Sequence, residues 1–314
     1  MKKGLNAGLA LAFVVSAITL ASVRIAGQGS GAPLPPLTKA PVRVLLITKG
    51  HSFDRQGLME LFDRLGREVV WTHVQHPAAQ VFYNQKNAAN FDVLAFYDAP
   101  GRVKRPTMGK DGKPTFDEVP PASKVDFAQM LMAGKGLVFM HHAISAWTHN
   151  WPEYQEVVGG ACDWSNEIVL RKEPFPESGA FGGQKQHITV VDKTHPVVEG
   201  LGDGFDIVDE AYACPYNEKD VHPLLRTDYV PQEPARFLGK RPHSNLTAWV
   251  KTAENSPVVW IQHGHNASAW TNPSFQKLLF NAIQWAGSAE ARAWAKKNPT
   301  KIFRNVKPLR TATN

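Results

Sequence analysis

Cysteine is almost absent. The two residues present in 314, Cys162 and Cys214, are too few for a disulfide scaffold. In an oxidising compartment they could pair; two buried free thiols are the alternative. Neither has a histidine at a spacing that suggests a thiol nucleophile. Also missing are H-E-x-x-H, C-x-x-C, the phosphate-binding G-x-x-x-x-G-K-[ST] and the dinucleotide G-x-G-x-x-G, so no familiar metalloprotease or nucleotide site is indicated. Ser145 stands outside a G-x-S-x-G elbow, which argues against a serine hydrolase. No internal repeat is present.

A basic body is lacking too. The formal net charge is +7, but +4 lies before Val42 and +6 after Gly287, which leaves the body at −3. A mildly acidic body does not offer the positive face that a phosphate backbone requires, so nucleic acid is excluded as a partner. The basic residues after Gly287 read as a solvated tail, 288–314.

The amino terminus reads as an export signal. Met1-Lys2-Lys3 is a short positive segment, Leu9 to Leu20 is an apolar run, and the small residues Ala21, Ser22, Ala26 and Gly27 follow. That run is short of the roughly 20 residues a membrane helix needs. The expectation is a cleaved signal peptide over 1–27 and a periplasmic or secreted protein without a stable membrane span; an uncleaved anchor is the alternative. Residues 28–41 (QGSGAPLPPLTKAP) form a Pro/Gly-rich linker.

The body begins at Val42. Its runs VRVLLIT, FDVLAFY and GLVFM are nearly continuous and apolar, as strands covered on both faces should be. Further strands are predicted over 68–74, 187–191, 205–209, 246–251 and 257–262. Helices are predicted over 56–67, over 123–132 with Ser123 as N-cap, and over 273–285 with Pro273 in the first turn. Residues 101–121 read as a long loop. The order of elements predicts an α/β domain, with helices on both faces of a mostly parallel sheet.

Ligands of such sheets sit outside the carboxyl ends of the strands. His51 follows the first strand, Asp98 the third, and His141-His142 the central one. Asp209-Glu210-Ala211-Tyr212 and His263-Gly264-His265 follow two later strands. Histidine carries protons near neutral pH or ligates a metal as the neutral ring. Adjacent residues on an extended chain point opposite ways, so only one of His141 and His142 faces the site unless a turn intervenes. Trp147, Trp151, Tyr154, Trp164, Tyr212, Tyr216 and Trp270 lie in the loops beyond these strand ends. They suggest either ordinary packing or an aromatic platform for a pyranose.

Five stretches in order, VRVLLITKGH, GKGLVFMHHAISAW with WPEYQEVVGG, DKTHPVVEGL, FDIVDEAY and PVVWIQHGHNASAWTNPSFQKLLFNAIQWA, resemble the ThuA-like (trehalose utilisation) family across 42–287. The resemblance implies a class I glutamine-amidotransferase-like fold, a flavodoxin-like three-layer sandwich. Amidotransferases of that fold carry a Cys nucleophile in the turn after the central strand. Met140-His141-His142 stand there instead, so amidotransferase chemistry is not expected. The family pattern singles out His51, His141, His195, Glu210 and His265.

The function so implied is that of an exported enzyme acting on an oxidised, 3-keto glycoside or disaccharide. His141, Glu210 and His265 are its expected catalytic residues. His51, Asp98, His142, Trp151, Tyr212 and His263 are expected to bind the sugar. A divalent metal such as zinc, held by some of His51, His141, Glu210 and His265, is an explicit variant. The alternatives are a non-catalytic carbohydrate-binding protein and a metal-dependent hydrolase of another small substrate.

Overall fold

The alternation of the apolar runs decides the layers. In β1 (Val42–Lys49) and β3 (Val93–Asp98), Val44, Leu46, Val93, Ala95 and Tyr97 enter one core. Leu45, Ile47, Leu94 and Phe96 enter a second core on the opposite face, as successive residues of a strand must. Each fully buried aliphatic side chain contributes about 1.5–3 kcal/mol, and both faces of these strands collect that gain.

The protein, a computed structural model, is described over residues 40–101, 107–112 and 114–307. The expected signal segment and nearly all of the linker fall outside these residues. Beside β1 and β3 stand β2 (Val69–Gln75) and, after the short hairpin β4 (Thr107–Met108) and β5 (Pro114–Thr115), the central β6 (Gly136–Met140). A second hairpin, β7 (Ile168–Leu170) and β8 (Glu173–Phe175), precedes the long strands β9 (Gly179–Val190) and β10 (Gly204–Ala213). Strands β11 (His222–Thr227), β12 (Leu246–Ala253) and β13 (Ser256–Ile261) complete the set.

The nine-stranded sheet has the order β10-β9-β11-β12-β13-β6-β3-β1-β2. From β2 to β13 every pairing is parallel; from β13 to β10 every pairing is antiparallel. The two reversals between β13 and β11, and again between β11 and β10, restore direction. All strands except β12 and β9 therefore point the same way, and β10 delivers its carboxyl end to the same edge as β6.

Helix α1 (Arg55–Arg64) packs on one face of the sheet, and α2 (Pro121–Met132) and α3 (Pro152–Val158) on the other. The single turn α4 (Pro234–Leu238) precedes β12, and α5 (Ala267–Trp270) leads into α6 (Pro273–Ala286), which joins α1. This is the expected three-layer α/β sandwich. Asn272 caps α6 by accepting the N–H groups of Ser274 (2.9 Å) and Phe275 (3.2 Å). Helix α2 starts at Pro121, so Ser123 lies inside its first turn and makes no cap.

The described part of the expected basic tail, 288–307, is largely folded. Ala289–Lys297 forms α7, with Ala291 and Ala295 buried. Beyond it, buried Glu254 accepts the N–H groups of Ile302 (2.8 Å) and Phe303 (2.9 Å). The charges of 288–314 hid a helical stripe of small apolar residues. No helix among the described residues is long and apolar enough to cross a membrane.

Candidate functional site

The turn after β6 builds the centre. His141 takes φ +52°, a left-handed conformation that a non-glycine residue holds only when its surroundings enforce it. A 3-10 turn follows over His141–Ser145. It brings both histidines inward, each about 1% exposed, with ring centroids 5.2 Å apart. His142 stacks on His51 at 4.5 Å and meets Tyr97 edge-on at 4.4 Å.

His141 fixes its own tautomer. Its Nδ1 lies 2.9 Å from the carbonyl of Gln262; a carbonyl only accepts, so Nδ1 carries the proton of the neutral ring. Nε2 then offers a lone pair. It lies 3.3 Å from Glu210 Oε2 and 3.0 Å from His265 Nδ1, and His265 Nδ1 lies 3.4 Å from Glu210 Oε2. Three electron-rich atoms at this spacing require a shared proton or a cation. In a tetrahedral zinc site, with bonds of about 2.0–2.1 Å, the ligands stand about 3.3–3.4 Å from one another. The spacing and the donor set fit such an ion, and His141, Glu210 and His265 would hold it. The Gln262 carbonyl would orient the first ligand.

Glu210 reaches this point because β10 is irregular. The register against β9 slips between Asp209 and Ala211, a bulge that places two successive acids at one turn. Asp209 accepts the N–H groups of Gly264 (2.7 Å) and His265 (3.2 Å) and lies 3.4 Å from His263 Nδ1. Tyr97 and Trp270 both donate to the Gly264 carbonyl at 2.8 Å. The turn carrying His265 is thus held from three sides.

Electrostatics separate the roles. Burial opposes ionisation of Glu210, but its neighbours His141 and His265 and the Tyr212 hydroxyl hold its carboxyl below the ordinary value. Burial likewise opposes Asp209, yet His263, His141 and the Gly264 N–H keep it low. Tyr212, with Oη 2.9 Å from both ring nitrogens of His141, is pushed well above 10 by burial and then by the two carboxylates. It remains a neutral hydroxyl, a proton donor beside two carboxylates.

Residues 43–286 match the family described as ThuA, trehalose utilisation. The chain belongs to the ThuA family. Among solved structures, a ThuA-like protein of Parabacteroides merdae aligns with a TM-score of 0.57 and 17% identity, covering 79% of this chain and 90% of the other. A ThuA-like protein of Bacteroides uniformis aligns with a TM-score of 0.54 and 19% identity, covering 82% and 95%. A glutamine amidotransferase of Thermotoga maritima gives a TM-score of 0.41 and 7% identity over 80% and 100%. No curated protein matches the sequence.

Of the residues singled out in this ThuA sequence, the fold gathers His51, His141, His142, Glu210, Tyr212, His263 and His265. It excludes three. Trp151 is 1% exposed and packs on Phe127, Tyr154 and Tyr83; it is core, because the loop after the turn folds under the sheet edge. Asp98 points to the opposite face of β3, where its Oδ2 meets His76 Nε2 at 2.7 Å. His195 follows β9, which runs against the parallel strands, so it sits at the other edge beside Trp285 and His222. Among the expected aromatics, Tyr212 and the adjoining Trp164, 4.9 Å from it, flank the centre. Tyr216 packs instead on Trp249 and Trp260. Sequence reasoning missed Tyr97, whose place at a strand end beside Asp98 was the available signal. It also missed His76, which stands in a His-Pro pair after β2. The two cysteines form a disulfide, with Cα atoms 5.3 Å apart.

Proposed function

We propose that this ThuA protein is an exported enzyme that processes an oxidised, 3-keto glycoside or disaccharide by acid–base chemistry at His141, Glu210 and His265. A carbohydrate-related function follows from the family. The observation that carries the reaction type is the convergence of three basic atoms, 3.0–3.4 Å apart, from three separate strand ends. The Cys162–Cys214 disulfide supports an oxidising compartment.

A ketone at C3 acidifies the C2–H bond. His141 Nε2, with its lone pair set by the Nδ1–H bond to Gln262, takes that proton and leaves the electron pair as an enolate. The Tyr212 hydroxyl donates a hydrogen bond to the developing oxyanion. Collapse of the enolate expels the C1 oxygen, which takes a proton from the His265 imidazolium, while anionic Glu210 stabilises the charged rings. In the metal-bound variant, His141, Glu210 and His265 would act as ligands in place of these acid–base roles, and the ion would supply Lewis-acid polarisation of the ketone.

Proton NMR of the protein mixed with a 3-keto-disaccharide at neutral pH tests the reading. The expected result is new product signals, together with exchange of the C2 proton in deuterated water. Line broadening without product would instead identify a carbohydrate-binding protein.

A further inference from the structure

Asp98 and Tyr97 are neighbours on β3 and therefore serve opposite faces of the sheet edge. Tyr97 faces the histidine centre. Asp98, fully buried, pairs with His76, which is 6% exposed. The His76 ring forms part of the wall of a cavity of about 380 Å³, together with Lys49, Gln80, Asp117, Glu118 and Trp147. That volume lies within the range of small-molecule pockets, about 300–1,000 Å³.

Three observations mark this cavity as built for a ligand. His76 Nε2 meets Asp98 at 2.7 Å, and its buried Nδ1 has no hydrogen-bond partner among the described residues. A buried polar atom without a partner is costly and calls for an explanation. Next, Lys49 (φ +105°) and Trp147 (φ +56°) both hold left-handed backbone without being glycine, a strain that concentrates at ligand sites. Finally, the backbone is compressed here: a Cβ on Gly50 would stand 2.2 Å from the carbonyl of Ala99. The turn Lys49-Gly50-His51 thereby borders both sites, since Lys49 and Gly50 line the cavity while His51 stacks on His142.

We infer that this cavity is a second subsite, for one hexose ring, across β3 from the histidine centre. The inference rests on the carbohydrate reading above. The chemistry is that of a polyol: carboxylates of Asp117 and Glu118 and the Gln80 amide accept hydroxyl protons. Lys49 donates to ring oxygens, and His76 and Trp147 contribute wall surface.

The test uses unoxidised sugars, so it does not depend on turnover. The full chain is titrated with trehalose and with methyl α-glucoside while the His76 imidazole and Trp147 indole NMR signals are followed. Saturable shifts of both signals are expected, with the trehalose affinity lowered at least tenfold in Gln80→Trp, which fills the cavity from its rim. Glu118→Gln, at an exposed position, is expected to weaken binding by a smaller factor without affecting folding. If neither sugar moves the His76 and Trp147 signals, or if a folded Gln80→Trp binds trehalose as the parent does, the inference is overturned. Saturable shifts together with no turnover of the keto-sugar would sink the proposed reaction and leave the subsite standing. Turnover without the shifts would do the reverse.

Discussion

His141 Nε2 and His265 Nδ1 lie 3.0 Å apart, with Glu210 Oε2 within 3.4 Å of each. Two imidazole nitrogens and a carboxylate oxygen at that spacing repel unless something positive sits among them. If that is a divalent cation, the protein will copurify with or take up one zinc per chain, measurable by elemental analysis. Glu210→Gln will lower the affinity, since it removes the anionic ligand. Zinc at 100 times its dissociation constant stabilises the folded chain by about 2.7 kcal/mol, visible as a rise in melting temperature that the variant lacks. A parent protein whose melting temperature ignores zinc would leave a shared proton as the occupant.

The same geometry predicts the kinetic result. His141→Asn tolerates a left-handed backbone but has no basic nitrogen. It should lower kcat by about 10²–10⁴-fold, the usual worth of a positioned general base, with little change in the melting temperature. Retained turnover would remove His141 from its assigned role.

Asp209 should act through the turn it holds. It accepts two successive N–H groups from Gly264 and His265, so Asp209→Asn, which offers one oxygen and one NH₂, breaks one of them. The expected cost is about 1–3 kcal/mol of stability. A change in the pH dependence of kcat should accompany it, because His265 is no longer held against Glu210. Chemical denaturation and a pH–rate profile measure the two. A profile that only scales downward would mark Asp209 as structural alone.

The parts of this arrangement differed in how plainly the chain announces them. β1, β3 and β6 were legible because VRVLLIT, FDVLAFY and GLVFM are apolar at nearly every position, which follows from burial on both faces. β11 was not, because HPLLRT carries a proline and a charge and gains its pairing from β9 and β12. The strand ends that bear His141, Glu210 and His265 could be named from order alone. Their meeting within 3.4 Å depends on the bulge at Glu210 and the left-handed turn at His141, and neither leaves a mark in the residue types. Trp151 misled for a related reason: a tryptophan after a strand end reads the same whether its loop faces solvent or folds beneath the edge. His76 was passed over because its partner, Asp98, lies 22 residues away on a strand that is not its sheet neighbour.

Removing the disulfide should couple stability to the site. Cys162 and Cys214 close a loop across a sequence separation of 52, for which chain entropy gives about 4 kcal/mol. Cys214 stands two residues beyond Tyr212, which touches His141. The double variant Cys162→Ser, Cys214→Ser should therefore melt earlier and also lose part of its turnover at temperatures where it remains folded. Comparing both with the parent, with and without a thiol reductant, checks the coupling. Loss of stability with full turnover would show that the bridge supports the fold without shaping the site.

At the far edge of the sheet, His195 supplies a pH dependence independent of the reaction. Burial, with help from the charge of His222, lowers its pKa to about 4 against the opposing pull of Asp192. Its Nδ1 accepts the Val197 N–H at 3.2 Å, a bond only the unprotonated nitrogen can make. The unfolded chain, with an ordinary histidine near 6.5, binds this proton more readily than the folded one. The stability contributed is complete above pH 6.5 and is lost as the pH falls from there toward 4. His195→Asn keeps a side-chain acceptor at the start of the short helical turn and cannot titrate, so it should flatten that part of the stability curve. Urea denaturation of parent and variant at pH 7 and pH 5 measures the difference, and an NMR titration that placed the His195 midpoint near 6.5 would overturn it.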